Sequence, residues 1–319
     1  MEKSETIFQR VGPTRFMYYL GKYLPPPLGL LVVLSVTKIL IARRSSIYVT
    51  ALANQRHVLG PAASDKVVQR VARRQIYHSV LGYYHTFHNL GWGKSTPDRV
   101  RPRVKLAPGV LEWINDAVET GRGLLVLGTH TSNYDLCGIA LSHMLPLPPM
   151  ALSLAEPASG HLFFNHLRNR LGRGSVTPIS PGALREAMRR LQQGGIVLTA
   201  VDRPLDKGNQ PVEFFGDIAC LPTGYIRIPL MTDCLVMTMA FRWDGHSYWI
   251  HANPPMEMAR TGQRRQDVEV NLRRVLSQVE ALIRADPTQW MVSIPVWPET
   301  QEGTSLTCAA VPYRNESRT

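Results

Sequence analysis

Short apolar runs alternate with amphipathic helical segments between residues 108 and 252, and this alternation restricts the fold more than any other feature of the chain. The clearest runs are Leu124–Leu127 and Ile196–Val201, which have the continuous apolar character of strands that are buried on both faces. Such strands belong to parallel sheets covered by helices. The pattern therefore predicts an α/β fold with a mostly parallel central sheet flanked by helices.

One pair of strands should depart from the parallel arrangement. The runs Leu235–Phe241 and Tyr248–Ala252 are separated by a short segment that contains Asp244-Gly245. An Asp-Gly pair between two apolar runs is typical of a β-hairpin turn. We expect these two strands to pair antiparallel.

The part of the chain before the alternation shows helical spacing and no strand pattern. We divide the chain into an N-terminal membrane-associated helical segment at 1–60, an α/β domain at 61–297 and a loose tail at 298–319. Residues 61–107 form the helical lead-in to the α/β domain. The polar composition after residue 297 favours a tail without a fixed fold.

The N-terminal segment contains one long apolar run, Leu28–Ala42. Its 15 residues fall short of the roughly 20 that a membrane-spanning helix needs. Lys38 lies inside the run, Arg43 follows it, and tyrosines precede it, which is typical of a helix that lies in the membrane interface. The alternative is a buried core helix.

Charge and cysteine content limit the partners and the compartment. A net charge of +12 implies an anionic partner, which could be nucleic acid, a membrane surface or a phosphate-bearing substrate. The basic residues are spread along the chain without a recognition-helix pattern, so no nucleic acid is expected. The four cysteines are far apart and include no Cys-x-x-Cys pair, which favours buried free thiols in a reducing compartment.

His130 and Asp135 are the first candidates for catalysis. His130 comes two residues after the strand that ends in Gly128, on the turn that leads into a helix capped by Ser132 or Asn133. Ligands of open α/β sheets bind at this edge. A neutral histidine is a common general base, and a nearby carboxylate can fix its tautomer. The alternative is a histidine that stabilises a turn and an aspartate that favours a helix N-terminus.

Other polar residues could complete a site. Asp202 and Arg203 follow the strand Ile196–Val201, on the same sheet edge as His130. Arg168 and Arg173 belong to a basic cluster that could bind phosphate or could simply face solvent. Glu213 could offer a second carboxylate to His130, although an acid at a strand end that faces water is the simpler explanation. His85 and His88 have no third ligand at suitable spacing, so we expect no metal.

The motifs taken together resemble a known family. His130 and Asp135 match the His-x4-Asp/Glu motif of glycerolipid acyltransferases, in the form found in bacterial lipid A late acyltransferases and phosphatidylinositol-mannoside acyltransferases. The resemblance covers roughly residues 15–297. Further matching segments, in chain order, are Asn54 with Leu59-Gly60, Ala200-Val-Asp202-Arg203, Phe214-Phe215-Gly216, Leu221-Pro222-Thr223-Gly224 and Asp286-Pro-Thr-Gln-Trp290.

Two departures from the family pattern bear on the acceptor. Members often have a second acid where this chain has Arg203-Pro204, and the lipid A branch usually has glutamate at the position of Asp135. The aspartate makes the chain more similar to the mannoside and lysophospholipid branches.

The resemblance implies an enzyme that transfers an acyl chain from a thioester, either acyl carrier protein or acyl-CoA, to a hydroxyl of a membrane lipid or glycolipid. His130 would be the general base and Asp135 would orient it, while Asn133, Arg168, Arg173, Asp202, Arg203 and Glu213 would contact substrates. No cofactor is implied beyond the donor, and the expected location is the cytoplasmic face of the plasma (inner) membrane. The alternative functions are a lipid-binding protein without activity and a basic nucleic-acid-binding protein.

Overall fold

Four helices open the chain in the computed structural model, which describes residues 11–90, 96–205, 207–297 and 308. They are α1 (Val11–Tyr23), α2 (Pro26–Ala42), α3 (Ser46–Leu59) and α4 (Asp65–Leu90). The chain is thus helical from Val11 to Leu90 apart from short connections. The predicted tail at 298–319, apart from Cys308, lies outside the described residues.

The remaining elements follow the predicted alternation of helix and strand. In chain order they are α5 (Thr96–Val100), β1 (Val104–Leu106), α6 (Val110–Glu119), β2 (Leu124–Gly128), α7 (Tyr134–Met144), β3 (Met150–Ser153), α8 (Ser159–Leu171), β4 (Ser175–Pro178), α9 (Pro181–Gln192), β5 (Ile196–Ala200), β6 (Asn209–Phe214), β7 (Asp217–Pro222), α10 (Arg227–Thr232), β8 (Leu235–Trp243), β9 (Tyr248–Ala252) and α11 (Arg264–Arg284).

Seven strands form one sheet in the order β1-β9-β8-β2-β5-β3-β4. All neighbours pair parallel except β8 and β9, which are antiparallel as the Asp244-Gly245 turn predicts. β2 lies at the centre, between β5 and β8, and residues Leu124 to Leu127 have at most 2% of their surface exposed. An α/β fold with a mostly parallel sheet flanked by helices is therefore confirmed.

A separate hairpin of β6 and β7 has no counterpart among the predicted strands. Its turn is Phe215-Gly216, and both residues have positive φ, 56° and 85°. Two-residue hairpin turns of this kind need positive φ at both positions, which glycine adopts at little cost. The Phe-Phe-Gly motif thus forms a tight turn, and the Phe214 ring stacks on Trp297 at 5.8 Å between ring centres.

The expectation of four free thiols is wrong for two of them. Cys220 on β7 and Cys308 form a disulfide with a Cα–Cα distance of 5.5 Å, across 88 residues of sequence. Cys137 and Cys234 are free and buried, as expected. The pairing was invisible in the sequence because only the tertiary fold brings residue 308 to β7.

The helices α1 and α2 leave most of their apolar side chains in solvent. On α2 only Gly29, Val33 and Thr37 are buried, whereas Leu31 is 59% exposed. Among the described residues, no single helix has the length and hydropathy to cross a membrane. Taken together, α2 and α3 have sufficient length and hydropathy, but the pair is bent by 78°. The predicted boundary between the N-terminal segment and the α/β domain, at residue 60, falls between α3 and α4. These two helices pack on each other, and the boundary stays a prediction.

Candidate active site

The carboxyl ends of β2 and β5 bring His130 and Asp202 together. Gly128 and Ala200, the last residues of the two strands, are register partners, so the residues that follow leave the sheet side by side. The Nδ1 atom of His130 lies 2.6 Å from Oδ1 of Asp202, and the backbone N–H of His130 donates to Oδ2 at 2.7 Å. The shared sheet edge predicted for these two residues is confirmed.

Trp290 completes the hydrogen bonds of the Asp202 carboxylate. Its indole Nε1–H donates to Oδ2 of Asp202 at 2.8 Å, and both side chains have no exposed surface. Burial alone raises the pKa of a carboxyl group. Here the charge and the two hydrogen bonds of His130, together with the indole hydrogen bond, outweigh burial and hold the pKa of Asp202 below its usual value.

The state of Asp202 fixes the tautomer of His130. An ionised carboxylate only accepts hydrogen bonds, so Nδ1 of His130 must carry the proton that points at Oδ1. The second nitrogen, Nε2, then keeps its lone pair in the neutral ring. Within the described residues no hydrogen bond uses Nε2, so this atom can accept a proton from a bound molecule.

The loop that carries His130 is held by the segment around Trp290. Thr131 and Trp290 form an antiparallel bridge, the backbone N–H of Ser132 donates to Gln289 at 2.7 Å, and that of Met291 donates to the His130 carbonyl at 2.7 Å. Ser132 has a φ of 48°, which is unfavourable for a residue other than glycine or asparagine. The surrounding hydrogen bonds keep this strained turn in place.

Asp135 does not orient His130, which corrects the role that the family resemblance implied for it. Asp135 lies in the first turn of α7 and accepts from Nε of Arg168 on α8 at 2.6 Å. Arg168 also donates to Oδ1 of Asn165 at 2.6 Å. Burial works against the charge of Arg168, but the carboxylate of Asp135 outweighs it and raises the pKa of the guanidinium. The pair therefore joins α7 to α8 along one wall of the site.

A cavity of about 620 Å³ opens beside His130. Most of its walls are apolar side chains from the sheet, α7, α9 and α10, including Ile139, Leu152, Met188, Leu198, Ile228 and Phe241. The Tyr134 ring meets the His130 ring edge-on at 5.3 Å. The cavity has the size of a small-molecule site and the lining of one that binds an aliphatic chain.

Positive charges accompany the apolar wall. Arg168, Arg203, Lys207 and Arg227 all line the cavity. The first is neutralised by Asp135, whereas the others have no ion pair with the rest of the described chain. Of the residues predicted to contact substrate, Arg168 and Arg203 are thus at the cavity, and Asp202 lies behind His130.

Three other predicted substrate contacts do not line the cavity. Asn133 is buried; its Oδ1 accepts from Leu136 N–H as the cap of α7, and its Nδ2 donates to the Gly82 carbonyl of α4. Arg173 donates to the Leu145 carbonyl at the end of α7. Glu213 is exposed on β6. Asn133 and Arg173 use their side chains to join structural elements. Glu213 lies on another surface of the protein.

The roles of Trp290, Lys207 and Arg227 were not predicted from the sequence. A signal existed for Trp290, since Asp286-Pro-Thr-Gln-Trp290 was among the matching motifs, but no pattern pairs it with Asp202. Within the described part of the chain, no group of three or more His, Cys, Asp or Glu side chains could hold a metal ion.

This fold and site define a class of protein: an α/β protein with a carboxylate-supported histidine beside an apolar, cation-lined cavity. The model of the bacterial lipid A biosynthesis acyltransferase family matches residues 17–297. The chain belongs to that family, as its motifs indicated.

Individual relatives are more distant. The chain is similar to a phosphatidylinositol mannoside acyltransferase of Mycobacterium tuberculosis, with 22% identity over 192 residues, which is 59% of each protein. A phosphatidylinositol mannoside acyltransferase of Mycolicibacterium smegmatis is 23% identical over 191 residues, 59% of this chain and 60% of the relative. The matched region thus spans about three fifths of either relative.

Proposed function

We propose that the protein transfers an acyl chain from a thioester to a hydroxyl of a lipid or glycolipid, with His130 as general base. The observation that carries the proposal is the tautomer of His130, because its Nδ1–H group donates to Asp202 and leaves Nε2 as a proton acceptor beside an apolar cavity. Membership of the lipid A acyltransferase family supports the same chemistry.

The reaction needs one proton acceptor and no covalent intermediate with the protein. Nε2 of His130 takes the proton of the acceptor hydroxyl as its oxygen attacks the thioester carbonyl carbon. The new C–O bond forms, the C–S bond breaks, and the proton passes from His130 to the departing thiolate. Asp202 stabilises the imidazolium that exists between these two proton transfers.

The cavity accounts for the two substrates. Its apolar walls can take the acyl chain of the donor, which is acyl carrier protein or acyl-CoA, while Arg203 and Lys207 can pair with phosphate groups. The acceptor is a membrane lipid or glycolipid, and the names of the relatives make a glycosylated acceptor the first to test.

We also propose that α1 and α2 bind the protein to an anionic membrane. Phe16, Tyr23 and Leu31 are more than half exposed, and Lys38 and Arg43 lie on or beside the same apolar helices. We place the protein on the cytoplasmic face of the plasma (inner) membrane, where the resemblance locates the donors. Disulfides such as Cys220–Cys308 are more usual outside the cytoplasm, so the placement calls for a direct test. Protection from protease added to spheroplasts is the expected result, and cleavage would refute this placement.

The variant His130→Ala tests the function. General-base catalysis contributes about 10²–10⁴ in rate, so acyl transfer to a lipid extract should fall by that factor while the circular dichroism spectrum stays unchanged. His246→Ala, an exposed histidine in the β8–β9 turn, is the control and should keep full activity. Full turnover in His130→Ala would reject the mechanism, and binding of lipids without any turnover in the wild type would indicate a lipid-binding protein.

A further inference from the structure

A second, smaller cavity adjoins the cavity beside His130, which we call the acyl cavity, and it too is lined by cations. It has a volume of about 330 Å³ and lies between α10 and the start of α11. Arg227, Arg260 and Arg264 line it, together with the apolar side chains of Leu230, Met231 and Val268. We call it the arginine groove. Arg227 and Met231 also line the acyl cavity, so the two spaces meet at these residues.

The charges of the arginine groove are only partly compensated. Arg260 donates to Asp233 and to the Leu230 carbonyl, both at 3.1 Å, which holds its guanidinium at the groove. Asp267 is the acid of the groove, and its carboxylate accepts from the hydroxyl and backbone N–H of Thr261. Arg227 and Arg264 have no hydrogen bond or ion pair with another described residue, and both are exposed.

The basic residues extend in space from the acyl cavity, which contains His130, into the arginine groove. Arg203 and Lys207 line the acyl cavity, Arg227 lies where the cavity meets the groove, and Arg264 lies in the groove alone. A ligand that fits both spaces has an uncharged reacting end in the acyl cavity and an anionic end outside it. Acyl thioesters of phosphopantetheine have this form, because a long neutral arm separates the sulfur from a phosphate.

We propose that the arginine groove binds the phosphate at the end of the phosphopantetheine arm of the acyl donor. This phosphate is common to acyl-CoA and acyl carrier protein, and the inference rests on the proposed acyl transfer. Guanidinium groups suit it, since their planar forks donate paired hydrogen bonds to phosphate oxygens. The groove then fixes the arm, and the thioester reaches the side of the cavity that contains His130.

The double variant Arg227→Gln/Arg264→Gln tests the inference with three donors that carry the same palmitoyl chain. Palmitoyl-CoA and palmitoyl-acyl carrier protein contain the phosphate, whereas palmitoyl-N-acetylcysteamine lacks it. Loss of charge-assisted hydrogen bonds should lower kcat/KM for a phosphate-bearing donor, relative to the phosphate-free donor, by about tenfold or more. Arg273→Gln, on α11 but outside the groove, is the matched control and should leave the ratio unchanged.

A binding measurement separates this inference from the proposed reaction. S-hexadecyl-CoA is a thioether that cannot release its chain, so its Kd reports donor binding without turnover. We expect the double variant to weaken this Kd about tenfold, whether or not any acceptor is turned over. A fall confined to the acyl carrier protein or to CoA would mean that the groove binds a feature that only one donor has, and it would overturn the inference. Three results would each overturn the inference. They are an equal loss with the phosphate-free donor, an effect on the acceptor KM alone, and an unchanged ratio of kcat/KM between phosphate-bearing and phosphate-free donors.

Discussion

At the scale of single residues, the site depends on which carboxylate contacts His130. Asp202 is completely buried and receives three N–H donors, two from His130 and one from Trp290. In Asp202→Asn the amide can donate to Nδ1 of His130, which moves the ring proton to Nε2 and removes the base. We expect kcat for acyl transfer to fall about 10²–10⁴-fold with little change in KM, as measured with a saturating donor.

Asp135→Asn is the control for that experiment. It removes the negative charge that pairs with Arg168 and leaves the His130–Asp202 contact in place. We therefore expect a smaller loss of kcat and a lower midpoint of thermal unfolding, because a buried cation loses its counter-charge. A larger loss of kcat in Asp135→Asn than in Asp202→Asn would show that the wrong carboxylate has been assigned.

The sequence was sufficient to place His130 and Asp202 on one sheet edge, because residues that follow neighbouring parallel strands must meet there. It was insufficient to choose between Asp135 and Asp202. The family motif favours Asp135, five positions from His130, whereas the contact is made across 72 residues and depends on the register of β2 with β5. Trp290 is a further 88 residues from Asp202.

At the scale of elements, α7 sets one wall of the acyl cavity, and Gly138 is its smallest lining residue. A Cβ added at Gly138 would have no atom within 4 Å, so a larger side chain would extend into the cavity. Two methylenes displaced from the cavity correspond to about 1.6 kcal/mol, or about a tenfold loss in kcat/KM. In Gly138→Leu we expect kcat/KM to fall by this factor for the longest acyl chain that the protein accepts, so that shorter chains are preferred. A series of acyl-CoA donors of different chain length measures this change.

Gly182→Leu provides the comparison, since Gly182 is an exposed helical glycine on α9 outside the cavity. Both replacements favour helix by removing a flexible residue, so neither should unfold the protein. An unchanged chain-length profile in Gly138→Leu would show that the acyl chain does not lie along α7.

Prediction of the elements succeeded where local pattern decides the structure. Ser180 caps α9 through its hydroxyl, and the strands β2 and β5 lie where the apolar runs predicted them. It failed for β1 and for β6 and β7. β1 has only three residues, and the hairpin is not part of the main sheet, so its pattern of buried and exposed residues gave no recognisable repeat.

At the scale of the whole molecule, the net charge of +12 and the exposed apolar side chains of α1 and α2 predict how the protein meets its acceptor. Apolar contacts do not depend on salt, whereas attraction to anionic lipids is screened over about 8–10 Å at physiological salt. We expect the protein to bind vesicles that contain anionic lipid, with an affinity that salt reduces but does not abolish. Vesicle co-sedimentation over a range of salt concentrations measures both contributions.

The variant Leu31→Asp/Ile39→Asp isolates the apolar contribution. Both side chains are more than half exposed on α2, so their replacement should leave folding intact while it introduces charge into the lipid contact. Burial of one such side chain is worth about 1.5–3 kcal/mol. Replacement of both should therefore weaken the affinity for vesicles by about tenfold or more. Ile218→Asp, on an exposed position of β7, is the control. Equal binding by the α2 variant and the control would exclude α2 from the membrane contact, and acyl transfer to detergent-dispersed acceptor should be the same in both.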